Sequence, residues 1–205
     1  MKRQASNLAH DHTHVMRVWA NAHRIATHEA AAGRVADGDI LEAAVWMHEI
    51  GRGVEERGES TADACVRVAD ELMRRNGLAD LVWPVGETLI SHLSPGREPA
   101  TLEAAILQDA DWLDDLGAIG VARTFLDHDQ IMAPALYDPD DPGAEHRPPD
   151  PSAFLFDVFP GRLNRLPDRF GTTWGQAEAR RRVGVLEAFH RAILRDCAAA
   201  MPRRS

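Results

Sequence analysis

The chain reads as an all-α protein. Three observations carry that reading. Apolar residues recur three and four positions apart, as in Val15, Val18, Ala22 and Ile25. Capping residues and glycines open and close these periodic stretches. No run of useful length alternates apolar and polar residues as a half-buried strand would. Internal repeats are absent. At 205 residues the chain suffices for one well-buried core and is short for two. Residues 1–205 are therefore expected to form a single helical domain. With 44% hydrophobic and 27% charged residues, general disorder is excluded.

The first helix carries Val15, Val18, Trp19, Ala22, Ile25 and Ala26 on one face. His14 stands one turn before Val18, and His10 one turn before His14, so His14 can face the core. His12, His23 and His28 fall elsewhere and read as surface residues. A second helix, from Ile40 to Met47, leads into His48-Glu49 and is stopped by Ile50-Gly51-Arg52-Gly53. An imidazole and a carboxylate are thus adjacent at a helix C-terminus.

The third helix opens on the capping signal Ser60-Thr61-Ala62-Asp63 and closes at Asn76-Gly77. Its inward face is expected to be Ala64, Val68 and Leu72, with Arg67, Asp70 and Arg74 toward water. Leu81 to Leu93 forms the fourth, with Pro84 tolerated in the first turn. His92, near its end, can interact with the helix dipole.

The fifth helix presents Leu102, Ile106, Leu113 and Leu116 on one side and Ala104, Leu107 and Ala118 on the other. Both sides are poor in charge, so the helix is expected to be enclosed. Asp109 belongs near the first side. Asp111, about 200° away, belongs to the second. Asp and Pro dominate residues 137–151 and exclude regular helix, leaving a long loop expected to be mobile. Residues 152–200 are expected to form a C-terminal helical segment, clearest from Thr173 to Cys197, where Val183, Leu186, Phe189, Ile193 and Leu194 share a stripe. Cys65 and Cys197 lack CxxC spacing and read as small buried residues.

His14, His48-Glu49 and the run Gln108 to Asp114 supply imidazoles and carboxylates from three helices. Such a set can hold a divalent ion: Mn²⁺, Fe²⁺, Co²⁺, Ni²⁺ or Zn²⁺, or Mg²⁺ where oxygen dominates. Three blocks give this set a context: HDHTHVMRVW at 10–19, AAVWMHEIGR at 43–52 and ILQDADWLDDLGAIGVARTF at 106–125. Together they resemble the HD-domain superfamily of metal-dependent phosphohydrolases, whose signature is an isolated His, a His-Asp doublet and a distant Asp. The third block is the most specific, being similar to a bacterial subgroup of small HD proteins. The likeness spans roughly residues 8 to 126.

The resemblance implies an HD-type helical bundle in which His14, His48, Glu49 and a distal aspartate bind one divalent metal ion. The pattern Ala-Asp-x-apolar-acidic matches Ala110 to Asp114 and selects Asp111 as the ligand, with Asp109 behind it. The implied activity is hydrolysis of a nucleotide or other small phosphate ester by a metal-activated water. Arg52 and Arg123 are candidates for phosphate contact through paired hydrogen bonds, or else for structural ion pairs. His92 or Asp109 is a candidate for proton transfer.

Glu49 stands where the family has Asp. Its extra methylene moves the carboxylate by about 1.5 Å, while metal–oxygen bonds tolerate only a few tenths of an ångström. The change is compatible with an altered metal preference or with a degenerate, noncatalytic metal- or nucleotide-binding module. A dinuclear HD-type oxygenase would need further histidines before the last Asp, and residues 49–91 contain none.

A net charge of −9 argues against a grip on a nucleic-acid backbone. The expected partner is a small phosphorylated molecule. No stretch approaches 18 uninterrupted apolar residues, and Met1-Lys2-Arg3-Gln4 leads into polar residues, so the expected location is the cytoplasm and no membrane association is expected.

Overall fold

The computed structural model describes residues 11–126, 133–163 and 167–200. His10 and Met1-Lys2-Arg3-Gln4 lie outside the described residues. Those described are helical with irregular connections, and the β structure among them is a lone bridge between Ala135 and Phe154. The helices are α1 (His12–Ala31), α2 (Gly38–Met47), α3 (Thr61–Arg75), α4 (Val82–Leu93), α5 (Leu102–Asp114), α6 (Gly117–Leu126), α7 (Val158–Leu163) and α8 (Thr173–Ala200). None is long and apolar enough to cross a membrane. Their contacts group into two units.

The first unit holds residues 10–113 and 170–176. Three of its helices start where the sequence offers a side-chain acceptor to the orphan amides of a first turn. Asp11 caps α1, Asp37 caps α2 and Ser60 caps α3. Within this unit α3 packs on α4, and α2 on both α1 and α4. Val18, Ala22 and Ile25 of α1 are buried, in the predicted phase, and Leu41, Ala44 and Val45 of α2 are buried as well. Burial runs round α5, from Ala104 and Leu107 to Ile106, Ala110 and Leu113, in accord with an enclosed helix.

The face of α3 differs from expectation. Ala62, Ala64, Cys65, Ala69 and Met73 are buried, whereas Val68 is only half-buried and Leu72 is exposed. Small residues win the inward face because α3 must pass close to the turn after His48, where bulk cannot be accommodated.

The second unit contains residues 114–169 and 177–200. Gly117 takes a φ of +73°, a left-handed conformation that costs a side-chain-bearing residue energy. The chain turns there, so Ala118 belongs to α6 instead of continuing α5. The rings of Phe125, Phe156 and Phe189 cluster round the fully buried Phe159 in this unit. The segment 152–200 is interrupted: a 3₁₀ turn at Leu155–Asp157, α7, and another at Pro167–Arg169 precede α8.

Residues 137–151 lack regular helix, as their prolines dictate, and several of them pair with one another and with Asp157. Arg147 pairs with Asp157 through both Nη atoms and donates to Asp138 through Nε at 3.0 Å. Its guanidinium also lies 4.6 Å from the centre of the Phe154 ring. Asp157 is buried, and it further accepts from the Asp150 main chain at 2.6 Å. Composition reports the lack of helix but not this clasp.

Candidate metal centre

His14 lies in the first turn of α1, where Asp11 accepts its main-chain N–H at 3.1 Å, and its side chain is fully buried. His48 is the C-cap of α2. Its Nδ1 lies 2.7 Å from the Val45 carbonyl, which can only accept, so Nδ1 carries the proton and Nε2 the lone pair. That arrangement fixes the ring in the orientation a ligand needs. Burial lowers the His48 pKa below the ordinary histidine value, which favours the neutral ring.

Asp111 comes from α5. Its Oδ1 is 3.3 Å from His14 Nε2, and the two imidazole Nε2 atoms are 3.3 Å apart. Burial acts to raise its pKa, but His92, His48 and His14 outweigh that effect and hold the carboxyl well below its usual range. His14, His48 and Asp111 each offer one ligand atom, all within 4.8 Å of one another. Two atoms bound to one ion at about 2.1 Å, with about 90–110° between them, lie about 3.0–3.4 Å apart. The two 3.3 Å spacings suit neighbouring positions round a divalent ion, and two imidazole nitrogens with one carboxylate oxygen are a donor set such an ion accepts.

The other predicted site residues are placed differently. His92, in the last turn of α4, puts Nε2 3.3 Å from the second oxygen of Asp111. Its Nδ1 is buried without a hydrogen-bond partner among the described residues. Glu49 places Oε1 3.9 Å from both imidazole Nε2 atoms. The same carboxylate is held by Arg52, whose Nε donates to Oε2 and whose Nη2 donates to Oε1 at 3.1 Å.

Asp109 is buried and turned to the segment before α8. It accepts from the Gly171 amide at 3.0 Å, the Thr172 amide at 2.8 Å and the Thr172 hydroxyl at 2.6 Å. Burial raises its pKa even though those three donors favour the charged form. Arg123 belongs to the second unit, buried, with Nη1 at 3.0 Å from Asp114 and 3.4 Å from Asp115. It displays the ion-pair alternative.

Three residues with structural roles at the centre carried no sequence signal of function. Asn21 donates from Nδ2 to the Ala110 carbonyl at 3.1 Å, tying α1 to α5 beside Asp111. The Cys65 thiol accepts the Gly51 amide and donates to the His48 carbonyl, each at 3.2 Å. Burial raises the Cys65 pKa and so preserves the donor. Gly51, the third, lies against the backbone of α3. The glycine was visible only as a helix stop and the cysteine only as a small residue.

Asp109→Asn would turn an NH₂ group toward at least one of the N–H donors. We expect a loss of about 1–3 kcal/mol of stability from the unmet buried groups, with bound metal largely retained. Thermal unfolding combined with metal analysis checks this, and loss of the metal from a folded variant would refute it.

The fold is all-helical among the described residues, and its first unit holds a cluster of two histidines and a carboxylate able to bind a cation. Residues 12–116 match the HD domain, and the chain belongs to that family. Several solved structures share the fold. A Lactobacillus plantarum protein superposes with a TM-score of 0.71 at 23% identity, covering 95% of this chain and 90% of that one. Bacillus subtilis YpgQ, solved in complex with ADP, gives 0.70 at 24%, covering 94% and 92%. An HD-superfamily hydrolase from Bacillus thuringiensis gives 0.69 at 23%, covering 94% and 88%. Comparison with curated proteins gives no match.

Proposed function

We propose that the chain is a metal-dependent phosphohydrolase acting on a nucleotide or other small phosphate ester, with one divalent ion held by His14, His48 and Asp111. The observation that carries this reading is the approach of His14 Nε2 to 3.3 Å from both His48 Nε2 and Asp111 Oδ1, with the His48 tautomer fixed from behind. Family membership supports the class of reaction. The ADP complex of the YpgQ neighbour supports a nucleotide as substrate.

When bound, a divalent cation here supplies Lewis acidity toward a phosphoryl oxygen and lowers the pKa of water. Asp111 uses one oxygen toward the His pair and the other toward His92. A quarter of its side chain is open to solvent, against none of His14 or His48, so the approach for substrate lies on its side. Arg52, 39% exposed, is the guanidinium available at that rim for a phosphate. His92 is the imidazole left over for proton transfer. Asp109, with its oxygens engaged by residues 171 and 172, supports the fold of α5 instead.

A noncatalytic metal- or nucleotide-binding module is the second reading, favoured by the engagement of Glu49 with Arg52. Nothing comparable supports the dinuclear oxygenase. Turnover of a panel of nucleotides and simple phosphate esters, with Mn²⁺, Co²⁺, Ni²⁺ or Mg²⁺ added, is the test. We expect release of phosphate or pyrophosphate with at least one metal. Stoichiometric metal binding without any turnover would establish the binding module instead.

A further inference from the structure

The position of Glu49 does not suit a ligand as it stands. Atoms in neighbouring positions around one first-row ion lie about 3.0–3.4 Å apart, and atoms in opposite positions about 4.2 Å. Glu49 Oε1 is 3.9 Å from both His14 Nε2 and His48 Nε2. It cannot be opposite both imidazoles, since those are themselves neighbours at 3.3 Å. To join the group it must advance by about half an ångström, which a glutamate can do by small changes in its side-chain torsions. What stands against that advance is Arg52, which holds both carboxylate oxygens in a two-pronged pair three residues along the chain.

We propose that Arg52 is a gate on Glu49, so that the metal and a phosphate anion bind with positive coupling. Glu49 can serve the cation fully only when the pair with Arg52 loosens. Arg52 can grip a phosphate with both prongs only when it leaves Glu49. Both ligands therefore favour the same state of one ion pair, and linkage requires each to strengthen the other. The partly exposed position of Arg52 gives an anion access, while Glu49 is mostly enclosed. The longer side chain that replaces Asp in the doublet acquires a purpose: it can reach either partner. The coupling to phosphate rests on the assignment of Arg52 under the proposed function; the gate on the metal does not.

The test is calorimetric titration of Mn²⁺ into the full chain, its Arg52→Gln and Glu49→Gln variants and the double variant, with helicity checked by circular dichroism. Arg52→Gln is expected to bind Mn²⁺ more tightly, by about fivefold or more. Removing a cation near the site would also raise affinity by relieving repulsion, but that effect persists when Glu49 is neutral. The gate predicts that the gain largely vanishes in the Glu49→Gln background. An equal gain in both backgrounds, or no gain, overturns it.

Repeating the titrations with inorganic phosphate, corrected by a protein-free blank, reads the second half. Phosphate is expected to strengthen Mn²⁺ binding to the unmodified chain and not to Arg52→Gln. If Arg52→Gln binds Mn²⁺ more tightly only where Glu49 is intact, yet phosphate changes nothing, the gate stands. The phosphate role of Arg52 then falls.

Discussion

Asp111→Asn is expected to abolish divalent-metal binding while leaving the chain folded. The amide keeps the size and the oxygen of the carboxylate but not its charge. Here the charge faces three imidazoles, which together hold the Asp111 carboxyl well below its ordinary pKa. Losing the anionic donor should lower metal affinity by about 100-fold or more, since even supporting residues behind a ligand are worth about 10–100-fold. The proposed phosphohydrolase activity should fall with it. Loss of the attraction to the imidazoles lowers stability, and the partial exposure of Asp111, which lets water meet the amide, limits that loss enough for the variant to stay folded. His48→Ala should lose the metal to a similar degree. Elemental analysis after purification without chelator, with far-ultraviolet circular dichroism, reads both variants. Stoichiometric metal in folded Asp111→Asn would remove Asp111 from the centre, and loss from Asp109→Asn alone would move the ion to the opposite side of α5.

The two aspartates also show what the sequence could and could not display. Helix phase separates Asp109 from Asp111 by more than half a turn, but α5 is buried on many sides, so phase alone does not say which side holds the centre. The motif Ala110-Asp111-Trp112-Leu113-Asp114 pointed to Asp111, and the geometry groups Asp111 with His14 and His48. The partners of Asp109 lie 62 and 63 residues further on, at Gly171 and Thr172, a pairing that no local pattern encodes. Arg52 presents the converse case. Its spacing from Glu49 was in plain view, yet a guanidinium beside both a carboxylate and a cation site suits an ion pair and a phosphate equally. On α3, apolarity favoured Val68 and Leu72, whereas closeness to the doublet turn favoured Cys65. Closeness is a property of the packed molecule and not of residue type.

Gly51→Ala should be the most destabilising single-methyl addition near the centre. A Cβ at Gly51 would stand 2.2 Å from the Cys65 amide nitrogen, 2.5 Å from the Ala64 carbonyl carbon and 2.7 Å from Cys65 Cα. All three are main-chain atoms in the first half of α3, so no side-chain rotation relieves the contact. The turn or the helix must move by about an ångström, and overpacking of that kind costs about 1–3 kcal/mol, with more expected where backbone meets backbone. The shift also breaks the relay in which the Cys65 thiol receives the Gly51 amide and donates to the His48 carbonyl. His48 and Glu49 ride on that turn, so metal affinity should fall together with stability. For a chain of this size about 3 kcal/mol corresponds to a fall of about 6–12 °C in the unfolding midpoint. Cys65→Ala separates the two contributions, because it removes the relay without the clash and should cost only about 1–2 kcal/mol. Thermal unfolding of both variants, followed by metal titration of whichever remains folded, makes the comparison. A Gly51→Ala variant as stable as its parent would mean that α3 does not pass as close to the doublet as 2.2 Å requires.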